Sequence, residues 1–406
     1  MKADDKTCCE GPLKGLRVIE AGLYIAGPFA CTLLADFGAD IIKIEQPKVG
    51  DPMRARPPEK DNQSLWWKMT GRNKRTITLD MGKPEGAELF KRLASTADVV
   101  LENFRPGTFE KWGIGYDVLS KINPRLVFVR ISGYGQTGPY RHRPGYGTVA
   151  ECFSGIPSGM GDPDRPPTMF SFPAADSVAS VFAAMATMFA IYERDQGGSG
   201  IGQEVDVSLY EPLFRLAEAQ VIAYDQLQYV RPRMGNRSPT DSPRNIYKTR
   251  DGRYIAISGG AQRTFNRLAS AMGMPELGTD ERFKDGFARQ TNAGVLDDIV
   301  AAWFVQHDFD EIVDLFEKQD VVSGPVYDIR DILKDPQYAA RQNIIEVLDE
   351  DFGKLRMQNA IPRFVRTPGR IRHAGKALGA DNESVYAGEL GIGAEELERL
   401  KSLNVI

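Results

Sequence analysis

The sequence predicts an α/β protein, with a large Rossmann-like domain and a smaller α+β domain. Through the first two hundred residues, short apolar runs alternate with segments of helical period, the signature of parallel strands joined by covering helices. A stretch rich in proline, glycine and arginine, 231–244, then interrupts the pattern as a linker does. Beyond it helix patterns outnumber strands, which marks a second, separately folded piece. At 406 residues the chain has room for about two or three domains of roughly 100–200 residues each.

Leu16 to Ala21 reads as the first strand. Gly27-Pro28 opens a helix, because proline suits the first helical turn, and Gly38 stops it. Ile41 to Glu45 is the second strand; Arg75 to Leu79, Val99 to Glu102 and Leu126 to Ile131 are further strands, with a helix starting at Pro84-Glu85. The most apolar stretch, Val178 to Tyr192, is apolar on nearly every face and reads as a buried helix. Ser180, Thr187 and the preceding Asp176 keep it short of the roughly 20 residues that a bilayer demands. Gln203 to Val207 follows as a strand, then a long helical pattern from 210 to 229. These signals place the large domain at 1–222, the linker at 223–244 and the small domain at 245–330. The small domain has a strand at Tyr254 to Ser258, helices at 265–272, 296–305 and 310–318, and an extended stretch at 324–327. Helix signals at 329–333 and 395–403 flank a strand pattern at 344–348, and periodicity leaves open whether the 331–406 segment stands alone or rejoins the large domain.

Composition narrows the function. Lys and Arg number 51 against 55 Asp and Glu, a net charge of -4 with no run of like charge, so nucleic acid would find no basic face. The opening residues lack an apolar signal core, so the expected location is cytoplasmic with no membrane partner. Cys8, Cys9, Cys31 and Cys152 show no C-x-x-C spacing and read as reduced thiols, and the three histidines lie at no ligand or triad spacing, so no metal site is expected. The turn Gly22-Leu-Tyr-Ile-Ala-Gly27 lacks the G-x-G-x-x-G of a dinucleotide site, so no NAD is expected. Gly197 to Gly202 lies between a helix and a strand, the reverse of a phosphate loop, and no G-x-S-x-G elbow occurs.

A carboxylate is therefore the nucleophile to consider. Asp176, in Phe172-Pro-Ala-Ala-Asp-Ser, stands at the start of the alanine-rich helix, where free N–H groups and the positive end of the helix dipole would keep it ionised. The same position suits a plain N-cap, and local sequence leaves both roles open.

The chain resembles the family III CoA-transferases from Pro12 onward. The segments that carry the resemblance are Gly15-Leu-Arg-Val-Ile-Glu20, Ala26-Gly-Pro28, Ala35-Asp-Phe-Gly-Ala-Asp-Ile-Ile-Lys-Ile-Glu45, Gly50-Asp51, Asn73-Lys-Arg-Thr-Ile-Thr-Leu-Asp80, Glu102-Asn-Phe-Arg-Pro-Gly107, Gly133-Tyr-Gly-Gln-Thr-Gly138 and Asp162-Pro-Asp-Arg-Pro-Pro167. The resemblance implies that Asp176 attacks a donor acyl-CoA, giving a mixed anhydride and then an aspartyl-CoA thioester, without metal or redox cofactor. It implies that coenzyme A lies across the strand ends against Tyr24, Ala26, Leu79, Asn103, Phe104 and Lys111. It further implies an interlocked homodimer, threaded through the linker, whose C-terminal segment returns to the large domain.

Gln46 stands where the formyl-transferring branch has an arginine, which shifts that phosphate contact to Lys48 or Arg54, and of that branch's glycine run only Gly259-Gly260 remains. Arg54, Arg143 and Tyr146 are the candidate substrate residues, and Arg54 and Arg56 after the second strand, with Arg143, Arg237 and Arg244 on loops, are the basic anchors available for a second carboxylate. Tyr146 occupies the position of the histidine in the racemase branch, and a phenol with an ordinary pKa near 10 suits α-proton transfer poorly. The expectation is CoA transfer from succinyl-CoA to a dicarboxylic or aryl-substituted dicarboxylic acid. The alternatives are a 2-methylacyl-CoA racemase and a non-enzymatic CoA-binding regulator, which would keep Asn103 and Phe104 without needing Asp176.

Overall fold

The structure, a computed structural model, describes residues 10–406; Cys8 and Cys9 lie outside them. The chain forms two compact units: the first runs through Ile156 and includes Phe170–Glu218 and Ala339–Ile406, and the second comprises Pro157–Met169 and Ala219–Tyr338.

The first unit begins with β1 (Arg17–Glu20), α1 (Ala26–Asp36) and β2 (Asp40–Glu45), then a short hairpin of β3 (Glu59–Lys60) and β4 (Gln63–Ser64) and helix α2 (Leu65–Thr70). It continues with β5 (Lys74–Thr78), α3 (Pro84–Ala94), β6 (Val99–Glu102), α4 (Thr108–Lys111), α5 (Tyr116–Ile122) and β7 (Val127–Ser132). Helices α6 (Gly147–Phe153) and α7 (Ala174–Gln196), strand β8 (Glu204–Ser208) and helix α8 (Glu211–Arg215) follow. Six strands pair in the order β5-β2-β1-β6-β7-β8, all parallel. The order reverses between β1 and β6, and open sheets of this kind bind ligands outside the strand carboxyl ends at such a switch point.

Alternate side chains of each strand feed two cores, one on each face. Ile19, Ile42, Ile77, Val100 and Phe128 pack on one face with α3, and Val18, Ile41, Leu101, Val127 and Val129 on the other with α1 and α7. Helix α7 is long and apolar enough to cross a membrane by length and composition, yet it packs a small-residue face of Ala175, Ala179 and Ala183 into the second core. Its opposite face corrects the expectation of burial all round: Phe189 is 64% and Tyr192 69% exposed. Small residues let one face approach α1 closely, which leaves the bulky residues pointing away.

In the second unit, α9 (Gln220–Leu227) precedes β9 (Arg244–Lys248), β10 (Tyr254–Ser258), α10 (Gln262–Ala271), α11 (Gly286–Thr291), α12 (Ala293–Phe304), α13 (Phe309–Lys318), β11 (Ser323–Pro325) and α14 (Ile329–Ile332). Its three strands form an antiparallel sheet, β11-β10-β9. The boundaries differ from those read in the sequence. The helical pattern of 210–229 breaks before α9, where Glu218 takes a left-handed conformation (φ 55°), so the division falls at 218/219 and part of the supposed linker is helix. The remote segment 157–169 joins this unit through Gly235 N–H to Gly161 O, 2.9 Å.

After α15 (Pro336–Ala340), the hairpin β12 (Ile344–Asp349) and β13 (Gly353–Gln358) and helix α16 (Ala394–Ser402) complete the first unit. The return begins at 339 rather than 331. It protects the edge strand β5, whose Thr76 and Thr78 N–H groups donate to Asp381 Oδ2 (2.8 Å) and Asn382 Oδ1 (2.9 Å).

Candidate active site

The turn after β1 lies at the switch point, and close packing dictates its glycines. A Cβ on Gly22 would sit 3.0 Å from Asn103 Oδ1 and 3.2 Å from Gly27 Cα. Asn103, just beyond β6, clamps the turn: its Oδ1 accepts from Leu23 N–H (2.7 Å) and its Nδ2 donates to Leu23 O (2.8 Å). Tyr24 follows in the left-handed region (φ 63°), its N–H donating to Asp51 Oδ1 (3.2 Å). Beneath the turn, buried Lys43 bridges Asp51 (2.7 Å) and Glu20 (3.1 Å), and Lys74 bridges Glu20 and Pro28 O (both 2.7 Å). Burial opposes the Lys43 charge, but the Asp51 and Glu20 carboxylates outweigh it and raise its pKa. Two cations and two carboxylates thus balance in a dry core and hold the loop from below.

Helix α7 brings its first turn to the same edge, where Ser180 Oγ donates to Ala26 O (2.7 Å). Asp176 is the third residue of α7 and does not cap it. The terminal donors belong to Glu151 on α6: its Oε1, on a side chain only 3% exposed, accepts from Ala174 N–H (2.9 Å) and Ala175 N–H (3.3 Å). The Asp176 carboxylate lies against Gly147, where a Cβ would come within 2.1 Å of its Oδ2. Tyr146 meets Tyr24 edge to face, 6.4 Å between ring centroids, so Tyr24, Ala26, Tyr146, Gly147, Glu151 and Asp176 are held together.

This arrangement corrects the expected electrostatics of Asp176. Burial, then the charge of Glu151, push its pKa up to about 6, against the pull of Arg56. The helix terminus lowers it only through the N–H of Asp176 itself, because Glu151 already occupies those of Ala174 and Ala175. At neutral pH the carboxylate is still mostly ionised, and more basic than an ordinary aspartate.

The other sequence candidates divide. Arg54 is not free to hold a substrate: Glu45 accepts from its Nε and Nη2 (2.6 and 2.7 Å), and its guanidinium lies 3.7 Å over the Trp67 ring. The arginine acting on Asp176 is the exposed Arg56, two residues on. Arg143 stacks on Tyr140 at 3.6 Å in an exposed loop, apart from the contacts made by Asp176. Leu79 ends the β5 segment with its side chain in the core, and Phe104 packs on Phe109 and Trp112. Lys111 borders a cavity of about 630 Å³ with Lys83, Lys91 and Trp112, and Lys48 is exposed on the turn after β2. Cys31 and Cys152 form no disulfide, and no group of three His, Cys, Asp or Glu among the described residues is disposed to hold a metal. Sequence reasoning missed Glu151; its only signal was a lone acid one turn after Gly147 in a short helix.

A family model described as CoA-transferase family III matches residues 13–382. A succinyl-CoA–D-citramalate CoA-transferase of Chloroflexus aurantiacus is 43% identical over 396 residues, covering 97% of this chain and 98% of that protein. The beta subunit of a succinyl-CoA–L-malate CoA-transferase from the same organism is 40% identical, covering 99% and 100%. A succinate–glutarate CoA-transferase of Agrobacterium fabrum is 32% identical, covering 93% and 95%. The crystal structure of a CaiB/BaiF family protein from Brucella suis superposes with a TM-score of 0.83 at 32% identity, covering 93% of this chain and 99% of that one. With the parallel sheet and a match spanning nearly all of its length, this chain belongs to family III of the CoA-transferases and is an enzyme that works on acyl-CoA and carboxylate substrates.

Proposed function

We propose that the protein moves CoA from succinyl-CoA to a dicarboxylic acid, aliphatic or aryl-substituted, through covalent intermediates on Asp176. The observation that carries this reading is the placement of Asp176 in the first turn of α7, wedged against Gly147, with Arg56 the one cation acting on it among the described residues. The donor and acceptor class is supported by the citramalate, malate and glutarate enzymes above.

In this mechanism the Asp176 carboxylate attacks the thioester carbonyl of succinyl-CoA; the C–S bond breaks and CoA thiolate leaves a succinyl-aspartyl anhydride. The thiolate attacks the aspartyl carbonyl, succinate departs, and an aspartyl-CoA thioester remains. The acceptor carboxylate then displaces the thiolate to form a second anhydride. Thiolate attack on the acceptor's acyl carbon releases the new acyl-CoA and restores the Asp176 carboxylate. No proton is gained or lost over the cycle, and the thioester bond is conserved. When Asp176 is a neutral thioester, Arg56 has lost its anion, and its fork of donors suits the incoming carboxylate. Tyr24 and Ala26 flank the CoA path at the switch point, Asn103 shapes it through Leu23, and Lys111 serves a phosphate.

Neither Tyr146 nor Gly147 provides the proton-shuttling pair of a racemase, and His142 lies in an exposed loop accepting from Arg141 Nε (2.9 Å). Offering succinyl-CoA with a panel of mono- and dicarboxylic acids and reading products by mass spectrometry tests the proposal. Dicarboxylates are expected to dominate; turnover confined to simple mono-acids would sink it, as would exchange activity in Asp176→Ala.

The proposed assembly is an interlocked homodimer. Val181, Met185, Phe29, Phe37, Trp66 and Phe364 line an apolar groove of about 920 Å³ in the first unit, a surface on which a second copy could pack. Sedimentation at micromolar concentration should give twice the chain mass, and a monomer would overturn the assembly.

A further inference from the structure

We infer that Glu151 is the positioning residue of the nucleophile: by taking the free N–H groups that begin α7, it prevents the Asp176 carboxylate from closing on them as a cap and leaves it against Gly147. The inference rests on Asp176 being the nucleophile, as proposed above.

An aspartate in the first turn of a helix is drawn to the unpaired N–H groups and the positive end of the dipole. Here those of Ala174 and Ala175 are already bonded to Glu151 Oε1, and the backbone N–H of Asp176 itself is the one that reaches its carboxylate among the described residues. Glu151 is buried and forms no ion pair among the described residues. A carboxylate buried with peptide partners in place of a cation is a costly arrangement, and its consequence is a negative charge beside the nucleophile. Gly147 and Glu151 lie four residues apart on α6, so one helix face supplies both the space for the Asp176 carboxylate and the acceptor that keeps it there.

The charges around Asp176 are few. Glu151 comes from α6 and Arg56 from the segment after β2. Helix α1 packs on α7 with a single charged residue, Asp36, at its far end and paired with Arg72 (2.5 Å). The sheet face beneath α7 presents Val127, Val129 and Ile131. Glu151 therefore opposes ionisation of Asp176 and favours each neutral form, protonated or acylated. The carboxylate becomes a stronger nucleophile, and the overall equilibrium between the free carboxylate with succinyl-CoA and the aspartyl-CoA thioester with succinate shifts toward the thioester, because the free anion is disfavoured.

Glu151→Gln keeps an amide oxygen for both N–H groups and removes only the charge, whereas Glu151→Ala removes both. Two quantities are measured: the pH dependence of succinyl-CoA-dependent exchange, and the fraction of chain carrying a CoA adduct, by intact mass, with succinyl-CoA and no acceptor. In Glu151→Gln the acidic limb is expected to move to lower pH by about half a unit or more and the adduct fraction to fall severalfold. Glu151→Ala should also lose kcat with little change in KM for succinyl-CoA. A folded Glu151→Ala variant with the native kcat, acidic limb and adduct fraction overturns the inference, as does a lowered Tm with none of these changed. An active Asp176→Ala variant would instead remove the nucleophile on which it rests.

Discussion

Replacing Gly147 by alanine separates the placement of the nucleophile from the stability of the fold. Gly147 is the first residue of α6 and its backbone is not in the left-handed region, so alanine is conformationally acceptable and favours the helix by up to about 1 kcal/mol. The added Cβ would lie 2.1 Å from Asp176 Oδ2 and 3.0 Å from its Cγ, whereas ordinary contact begins at 3.4 Å. The carboxylate must therefore retreat by about 1 Å, and as the tip of a short side chain it does so by rotation, at about 0.5–1.5 kcal/mol for a strained rotamer. The two effects nearly cancel, so stability should change by no more than about 1 kcal/mol. A displacement of about 1 Å at the reacting atom costs on the order of 100-fold in rate. Steady-state exchange from succinyl-CoA, alongside a thermal melt, reads both quantities. Activity within about twofold of native would show that Asp176 is not confined by Gly147 during the reaction. A large drop in Tm would show that the clash falls on the backbone, and either result refutes the reasoning.

Asp176→Asn should abolish exchange yet stabilise the protein at neutral pH. The folded pKa of about 6 exceeds the ordinary 3.8, so the native carboxylate's penalty grows as pH rises between those values and is complete above about 6. At about 1.4 kcal/mol per pH unit, the asparagine variant gains up to about 3 kcal/mol near neutrality and nothing near pH 3, as denaturant titrations at both pH values would reveal. Arg56→Gln removes the cation that favours the charged form, so the acidic limb of exchange should move to higher pH. KM for the acceptor should rise about tenfold while that for succinyl-CoA barely changes, and unaltered acceptor kinetics would dismiss Arg56 as the anchor. Arg54→Ala leaves the fully buried Glu45 carboxylate without its cation, at a cost of about 3–5 kcal/mol in stability by chemical denaturation. Acceptor selectivity should be unchanged, and a shift in selectivity would restore Arg54 to the substrate site.

Strand and helix identity was legible because it depends on local periodicity. Val99–Glu102 and Tyr254–Ser258 are continuous with their neighbours' patterns and fall at the predicted positions. The helix over 210–229 failed where no local signal existed: Ala217, Glu218 and Ala219 are all acceptable helix residues, and the chain turns there because α8 and α9 belong to different units. Arg54 and Arg56 show the same limit within one loop. Both are basic, both follow the second strand, and nothing local reveals that Glu45 and Trp67 capture the first while the second acts on Asp176.

By itself the sequence determined the α/β alternation, the alanine-rich helix whose first turn carries Asp176 and the motif order that marks the family, because each is written in residues close together along the chain. Tertiary structure decided the strand order that sets the switch point, the exposed apolar face of α7 and the surroundings that raise the pKa of Asp176. These depend on which distant groups meet: Glu151 stands 25 positions before Asp176, yet packing puts its carboxylate on the N–H groups that a helix-terminus argument assigns to the aspartate. A dipole can be read from a helix start, but whether another anion already occupies it is settled only by the fold.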